Sequence, residues 1–258
     1  LDIRVGDTVV LKKAGDVIPE IVRVLPELRP KGAKPFVFPK KVSECGGDGS
    51  IERIPGTSAH RCVAKDSDTL HRARLYHFAS KHALNLDGIG PSIVDHLVSY
   101  FLVSTFDDFY TLTEADFLTL PGFKEKSAQN AIAAIITARK TTFPRLLVGL
   151  SIDHVGVTTA ELLAKHFSTP EDLASASEDE LIAVNGVGEI VARSVYSWMK
   201  DKGNQGLLKK ILSHLTLESE NVGSSTLQGK SFVFTGTLDS LSRDEASALV
   251  KRYGASVS

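Results

Sequence analysis

Cysteine is nearly absent from this chain: 258 residues contain only Cys45 and Cys62. That argues against a disulfide-built scaffold and points to a reducing compartment. Positive charge is not in excess either, with 30 Lys and Arg against 31 Asp and Glu. The overall basic footprint of many nucleic-acid binders is therefore missing. No apolar run approaches the ~20 residues that a membrane span needs, and no signal peptide is visible. An initiator methionine is lacking at Leu1, and Ser258 follows a strand-like start, so a fragment is expected. What remains is ample for folding: 42% hydrophobic residues support real cores, and this length allows about two to four modules.

Four short phrases of one kind are present. They are Leu86-Asp-Gly-Ile-Gly90, Leu120-Pro-Gly-Phe-Lys124, Ile152-Asp-His-Val-Gly156 and Val184-Asn-Gly-Val-Gly188. Their third positions, Gly88, Gly122, His154 and Gly186, lie 34, 32 and 32 residues apart. In the last three, an alanine (Ala128, Ala160 or Ala192) follows the fifth position by four residues. Each phrase is an apolar residue, a tight turn and the opening of an amphipathic helix. That is the layout of a helix-hairpin-helix array, and a repeated unit sets architecture ahead of any local feature.

The residue types suit the holding of nucleic-acid backbone. The first turn of a helix leaves N–H groups without partners, and the aligned peptide dipoles make that end partly positive. Glycine allows both the turn and the close approach of a phosphate. Such contacts position a duplex without reading its sequence. The candidates are Gly88, Ile89 and Gly90; Gly122, Phe123 and Lys124; Val155 and Gly156; and Gly186, Val187 and Gly188. Thr158, Lys126 and Arg193 join them from the helices. A single Gly-x-Gly means little, because helix ends use glycine constantly; four copies in register mean much more. Charge is uneven: residues 1–72 hold 13 Lys and Arg against 10 Asp and Glu, and residues 73–218 hold 13 against 17. The array therefore has to rely on oriented amides and a few placed cations.

Around the array the pattern changes. Residues 1–30 read as strands, with turn signals at Val5-Gly6-Asp7 and Ala14-Gly15-Asp16, and Pro19 makes the second strand an edge or a bulge. Lys12 and Lys13 precede the second turn, where solvent-facing cations could meet phosphate. Residues 31–41, rich in Lys and Pro, read as a connector. A short hairpin-like stretch, 50–54, lies between Cys45 and His60-Arg61-Cys62. Helix begins near Thr69, and helices are expected to fill 73–218, with Ile93, Leu97, Tyr100, Phe101 and 146–150 in the core. Residues 218–226 form a polar linker. After it come a buried strand at 229–237, an amphipathic helix at 243–253 and a second strand from Ala255.

Together these segments resemble the C-terminal half of bacterial NAD-dependent DNA ligases. Residues 2–9 and 14–19 are similar to that family's oligonucleotide-binding (OB) barrel. Leu75-Tyr-His-Phe-Ala79 with 86–90 resembles its passage from a zinc module into the hairpin domain. Residues 122–127 resemble its second hairpin, and 232–238 the start of its BRCT domain. The resemblance implies a multidomain, mainly α chain. Its parts would be a partial OB-like β-barrel (1–38), a small degenerate zinc-finger-like module (39–72), a helix-hairpin-helix domain with four hairpins (73–218), a linker (219–227) and an incomplete α/β BRCT start (228–258). Thr235 and Gly236 in that last segment complete the candidate DNA contacts.

Members of this family carry AMP from NAD on a lysine of an N-terminal adenylation domain, within a Lys-x-Asp-Gly motif. The AMP passes to the 5′ phosphate at a nick, and the 3′ hydroxyl displaces it. No such motif occurs here. The resemblance thus implies no catalytic residue in this chain, NAD bound by a missing N-terminal part, and magnesium for the parent reaction. It also implies a monomer that binds double-stranded nicked DNA without sequence preference, touches no membrane and works in the cytoplasm, at the nucleoid.

Two positions depart from the family pattern. Its zinc module uses four cysteines; Cys45 and Cys62 match one of each pair, but the other positions fall on Val42 and Asp68. Valine cannot bind metal, and two thiolates make a poor structural site. His60, His71 and Asp68 are the available substitutes. The expectation is a module without zinc, held by packing, with Cys45 and Cys62 as residual metal candidates. Lys13 also stands where the family has arginine, which keeps the charge but not the bidentate fork. Two other readings compete: a stand-alone helix-hairpin-helix module of a repair or recombination protein, and a helical-repeat scaffold. The scaffold reading conflicts with the glycines in the turns and with the missing Trp, Tyr and Ala pattern of tetratricopeptide repeats.

Overall fold

The structure, a computed structural model, describes residues 1–14, 18–54, 58–64, 67–218, 225–227, 229–236, 238 and 240–257. It divides into two compact units, Leu1–Leu70 and His71–Ser258.

In the first unit, β1 (Val9–Ala14) and β2 (Ile18–Val24) pair antiparallel, with a register shift between Val10 and Leu11. The two make a ribbon, and among the described residues no closed barrel forms. Gly15, Asp16 and Val17 of the expected second turn lie outside the described residues. Pro19 sits within β2 opposite Lys13; in a two-stranded sheet every strand is an edge, so its missing N–H is tolerated. Arg29 fastens the ribbon's open end. Its Nε and Nη2 donate to the two Asp7 carboxylate oxygens at 2.8 and 3.0 Å, and its Nη1 donates to Asp2 at 3.0 Å.

A second hairpin follows, β3 (Ile51–Arg53) with β4 (His60–Cys62), in the register Ile51↔Cys62. Ahead of it the chain folds into a knuckle: the Val42 N–H donates to the Gly49 carbonyl (2.7 Å) and the Cys45 N–H to the Val42 carbonyl (3.0 Å). The expectation of a module held by packing needs correction here. Cys45 and Cys62 are joined by a disulfide, with their Cα atoms 5.3 Å apart. Cys45 is also the one buried hydrophobic side chain among the described residues of 1–70. Packing therefore has almost nothing to work with, and a covalent link does its job.

The second unit is mainly helical. Its helices are α1 (Asp68–Ala79, beginning in the first unit), α2 (Pro91–Ser99), α3 (Glu114–Leu118), α4 (Glu125–Ala138), α5 (Phe143–Gly149), α6 (Val157–His166), α7 (Pro170–Ser175), α8 (Glu178–Ile182), α9 (Glu189–Lys200) and α10 (Lys202–His214). One continuous core runs through them, with Phe78, Leu97, Phe109, Phe117, Leu146 and Leu163 fully buried. Helices do not fill 73–218 entirely. β5 (Lys140–Thr142) and β6 (Thr216–Glu218) pair in parallel, and the Thr216 N–H donates to the Arg139 carbonyl at 2.7 Å. Arg139 also donates to the Tyr110 carbonyl at 2.6 Å and lies over its ring.

Two core expectations fail. Tyr100 is half exposed and Phe101 is 95% exposed, because α2 stops at Ser99 and the chain turns at Phe101 with φ +59°. The strand expected at 229–237 is neither long nor buried: β7 spans Ser231–Phe232, and Val233 is exposed. After it come α11 (Arg243–Arg252) and β8 (Ser256–Val257), which pairs with β7 in parallel. Most of the expected linker, residues 219–224, lies outside the described residues. Among the described residues no helix is long and apolar enough to cross a membrane.

Candidate nucleic-acid interface

All four phrases fold into the same turn. The fourth residue's N–H donates to the first residue's carbonyl: Ile89 to Leu86 (2.9 Å), Phe123 to Leu120 (3.3 Å), Val155 to Ile152 (3.0 Å) and Val187 to Val184 (2.9 Å). The third residue takes a positive φ, +77° at Gly88, +82° at Gly122, +67° at His154 and +90° at Gly186, as a type II turn requires. Apart from the half-buried Phe123, which packs on Phe117, the first and fourth residues are buried. The fifth residue caps the following helix, and its carbonyl accepts the N–H of Val94, Ala128, Ala160 or Ala192. Those four side chains are fully buried, so the residue one turn in, alanine in three of the four, seats the helix against its partner.

Capping distinguishes these helices from the others. The side chains of Thr113, Thr169, Ser177 and Asp201 accept a first-turn N–H of α3, α7, α8 and α10, and Ser242 does so for α11. The caps of α2, α4, α6 and α9 are Gly90, Lys124, Gly156 and Gly188, and none supplies a side-chain acceptor. Thr142 before α5 makes no such bond either, and Pro144 in α5, like Pro91 in α2, removes one first-turn donor. Charge divides the helices differently. First turns carry Glu114 and Asp116 in α3, Glu171 and Asp172 in α7, and Glu178, Asp179 and Glu180 in α8; those of α4 and α9 carry one acid each, Glu125 and Glu189, and those of α2, α5, α6 and α10 carry none. Bonds from Ser177 lower the Glu180 pKa and hold its carboxylate charged over its helix end. The positive ends of α2 and α6 are left without a counter-charge of their own.

Space in front of the turns is open. A Cβ built on Gly88, Gly90, Gly122, Gly156 or Gly188 would meet nothing within 4 Å. At Gly186 it would come within 2.8 Å of Leu162 of α6, so the fourth turn lies against the third hairpin's helix. The first two turns share a groove of about 820 Å³, walled by Asn85, Asp87, Gly88, Gly122, Ser127 and Asn130 among others. Asn85, Ser127 and Asn130 are groove residues that the repeat pattern does not reveal, because it marks only glycines and apolar positions.

The cations are placed less uniformly. Lys124, Lys126 and Thr158 are exposed at the openings of α4 and α6. Arg193 is exposed on α9 but donates to Glu178 at 3.3 Å. Lys12 and Lys13 are exposed on β1 in the other unit, Lys12 with its Nζ 3.1 Å from Glu20. Thr235 is exposed, and the carbonyl of Gly236 (φ +81°) accepts from Arg243 at 3.0 Å, so that turn is tied to α11. The residues do not fit a zinc ion. Disulfide sulfurs are not thiolates, and no group of three His, Cys, Asp or Glu among the described residues could hold a metal.

Comparison with known proteins agrees with this geometry. Residues 145–208 match the family model of the helix-hairpin-helix motif, and 80–135 that of the SAM-like helix-hairpin-helix tandem. Residues 1–33 match the NAD-dependent DNA ligase OB-fold domain. The whole chain is 38% identical to the DNA ligase of Synechococcus sp. (strain WH7803), over 39% of that protein's length. It is 39% identical to the DNA ligase of Syntrophobacter fumaroxidans (strain DSM 10017 / MPOB), over 38% of its length. The chain thus spans about two fifths of the curated relatives it matches. With ligase relatives along all of it and a ligase-specific domain at its start, the chain belongs to the bacterial NAD-dependent DNA ligase family.

Proposed function

We propose that this chain is the DNA-holding part of an NAD-dependent DNA ligase, gripping nicked duplex through its phosphates while another part of the enzyme performs adenylation and sealing. The observation that carries this reading is the division among helix ends. The caps of the four helices that open at the turns supply no side-chain acceptor, and the glycines Gly88, Gly90, Gly122, Gly156 and Gly188 there face open space. By contrast, α3, α7, α8, α10 and α11 have a first-turn donor capped by a side chain. Phosphate oxygens are the acceptors that suit such donors, and oriented amides bind them without reading bases. Gly88 to Gly90, Gly122 to Lys124, Val155, Gly156, Thr158 and Gly186 to Gly188 form this grip, with Lys126 and Arg193 adding charge; Lys12 and Lys13 are phosphate contacts of the first unit by itself. Thr235 and Gly236 belong to it as part of a BRCT start, a reading supported by the parallel β7–α11–β8 order.

Because no Lys-x-Asp-Gly occurs, NAD and magnesium serve the parent enzyme elsewhere, and this chain forms no AMP adduct. It works as a monomer in the cytoplasm at the nucleoid. The test is a titration of two unrelated duplexes, intact and nicked, at several salt concentrations. Equal affinities for the two sequences are expected, with log K falling against log salt at a slope of roughly −2 to −5, as a handful of cationic contacts implies. Strong sequence discrimination, or no binding at low salt, would remove this reading.

A further inference from the structure

The module between Lys41 and Val63 lacks both things that usually hold so small a fold. Among its described residues no group of three His, Cys, Asp or Glu could hold a metal, and Cys45 is the one buried hydrophobic side chain. What closes it is the bond from the knuckle at Cys45 to β4 at Cys62, across 17 residues of chain. Among the described residues the other contacts are non-covalent and largely solvent-facing. They include the bridge Lys41↔Ser50, the three-residue β3–β4 ladder, ion pairs of Lys41 with Asp48 and Arg61 with Glu52, the His60 ring stacked on Phe38 at 3.6 Å, and the Thr69 hydroxyl donating to the Glu44 carbonyl at 2.6 Å. Gly49 takes φ +75° with the Val42 carbonyl against it, so the knuckle has a shape that few sequences hold unaided. Small folds without a core depend on such staples.

We propose that Cys45–Cys62 is a thiol–disulfide exchange site, and that its redox state decides whether the 41–63 module is folded. The co-reactant is a dithiol. Its thiolate attacks Cys62, the less buried partner, and Cys45 leaves as a thiolate and takes a proton. The second thiol of the reagent then displaces Cys62. Two electrons and two protons pass to the protein, and the reagent leaves as a cyclic disulfide. Reduced, the module keeps neither staple nor metal and opens. This inference concerns the module alone and stands whether or not the hairpins hold DNA.

The test uses the whole chain, purified without reductant and in a chelator. Alkylation in denaturant followed by intact mass should add no group before dithiothreitol and two groups after it. Limited trypsin digestion should cut after Arg53 and Arg61 at least about tenfold faster in the reduced chain, as local opening predicts. Cuts within α4 and α9 should keep their rates. Reoxidation with glutathione disulfide should restore protection, and a C45S/C62S variant should be cut fast in either condition. If that variant fails to fold, the reversible change in the unaltered chain still decides. Two alkyl groups added without reduction would overturn the proposal, as would equal cutting in both states. Added zinc protecting the reduced chain to the oxidised level would do so too, because the thiols would then be metal ligands.

Discussion

Glycine serves two different purposes within one hairpin, and only the structure separates them. At the third position, Gly88 and Gly122 have positive φ and open surroundings, so the backbone conformation alone calls for them. At the fifth position, Gly156 and Gly188 have φ −97° and −84° with nothing within 4 Å; neither conformation nor crowding explains them. Serine would cap those helices better than glycine by a few tenths of a kcal/mol. A G156S/G188S variant is therefore expected to melt at the same temperature or slightly higher, while its affinity for duplex DNA falls. Thermal melting by circular dichroism beside a binding titration checks both halves; unchanged affinity would show that these helix ends touch no phosphate. Gly149 gives the opposite case. A Cβ there would collide with Leu84 and crowd Phe78, so Gly149→Ala should destabilise by about 1–3 kcal/mol through overpacking, seen as a lower melting temperature with DNA affinity at permissive temperature unchanged. The repeat made the turn glycines legible in the sequence, but nothing in it marked Gly149, since a buried helical glycine has no local signature. Phe101 misled for a related reason: apolar residues at helical spacing predict burial only while the helix continues.

Elements that lean on long-range partners were the least legible, and the first unit shows what replaces a core. Its β1–β2 ribbon is held at the open end by the bidentate Arg29–Asp7 pair, with Asp2 as a second carboxylate. Hydrogen bonds from Arg4 and Arg29 lower Asp2 from 3.8 to about 2, and Arg29 likewise depresses Asp7. Groups with depressed folded pKa values stabilise above their unfolded pKa and lose that contribution as pH falls through the folded one. Amide protection in 1–30 should hold at pH 5 and above and decline between about pH 4 and 2; hydrogen exchange across that range measures it, and flat protection would mean the latch does not matter. The knuckle next to it should behave differently from a zinc module. A chelator should leave its fold and that of the chain unchanged, and elemental analysis should find less than one zinc per chain, because structural zinc is coupled to folding. In the chain-entropy view, closing a loop of this length contributes about 3 kcal/mol. Sequence reading singled out the two cysteines but missed the bond, since pairing depends on a tertiary approach of their Cα atoms to 5.3 Å. The β5–β6 pair was missed for the same reason: three-residue strands some 75 residues apart carry no periodicity to detect.

At the scale of the whole molecule the question is whether four hairpins act as a grip or as a spacer. The net acidity of 73–218 makes this decidable, because bulk attraction cannot stand in for the turns if they fail. Joined to an adenylation domain from the same family, the chain is expected to restore nick sealing, while alone it should take no AMP from NAD. Gly122→Val and Gly186→Val, placed together in the joined protein, should then separate two steps. Each puts a β-branched residue at a φ near +80° to +90°, where left-handed backbone costs about 1–2 kcal/mol per residue, and Gly186→Val also drives into Leu162 of α6. The turns distort and their amides lose aim. Binding of nicked duplex and sealing should fall together, by about tenfold or more if even one well-placed phosphate contact is lost, at 1.4 kcal/mol per decade. Transfer of labelled AMP from NAD to the lysine should keep its rate, since it comes before any need for DNA. A circular dichroism spectrum matching the parent protein guards against a trivial loss of fold. If lysine adenylation fell as far as sealing, the hairpins would be acting on the nucleotide step and not on DNA. If sealing survived both substitutions, the array would be spacing the domains, and its uncapped helix ends would have no partner to explain them.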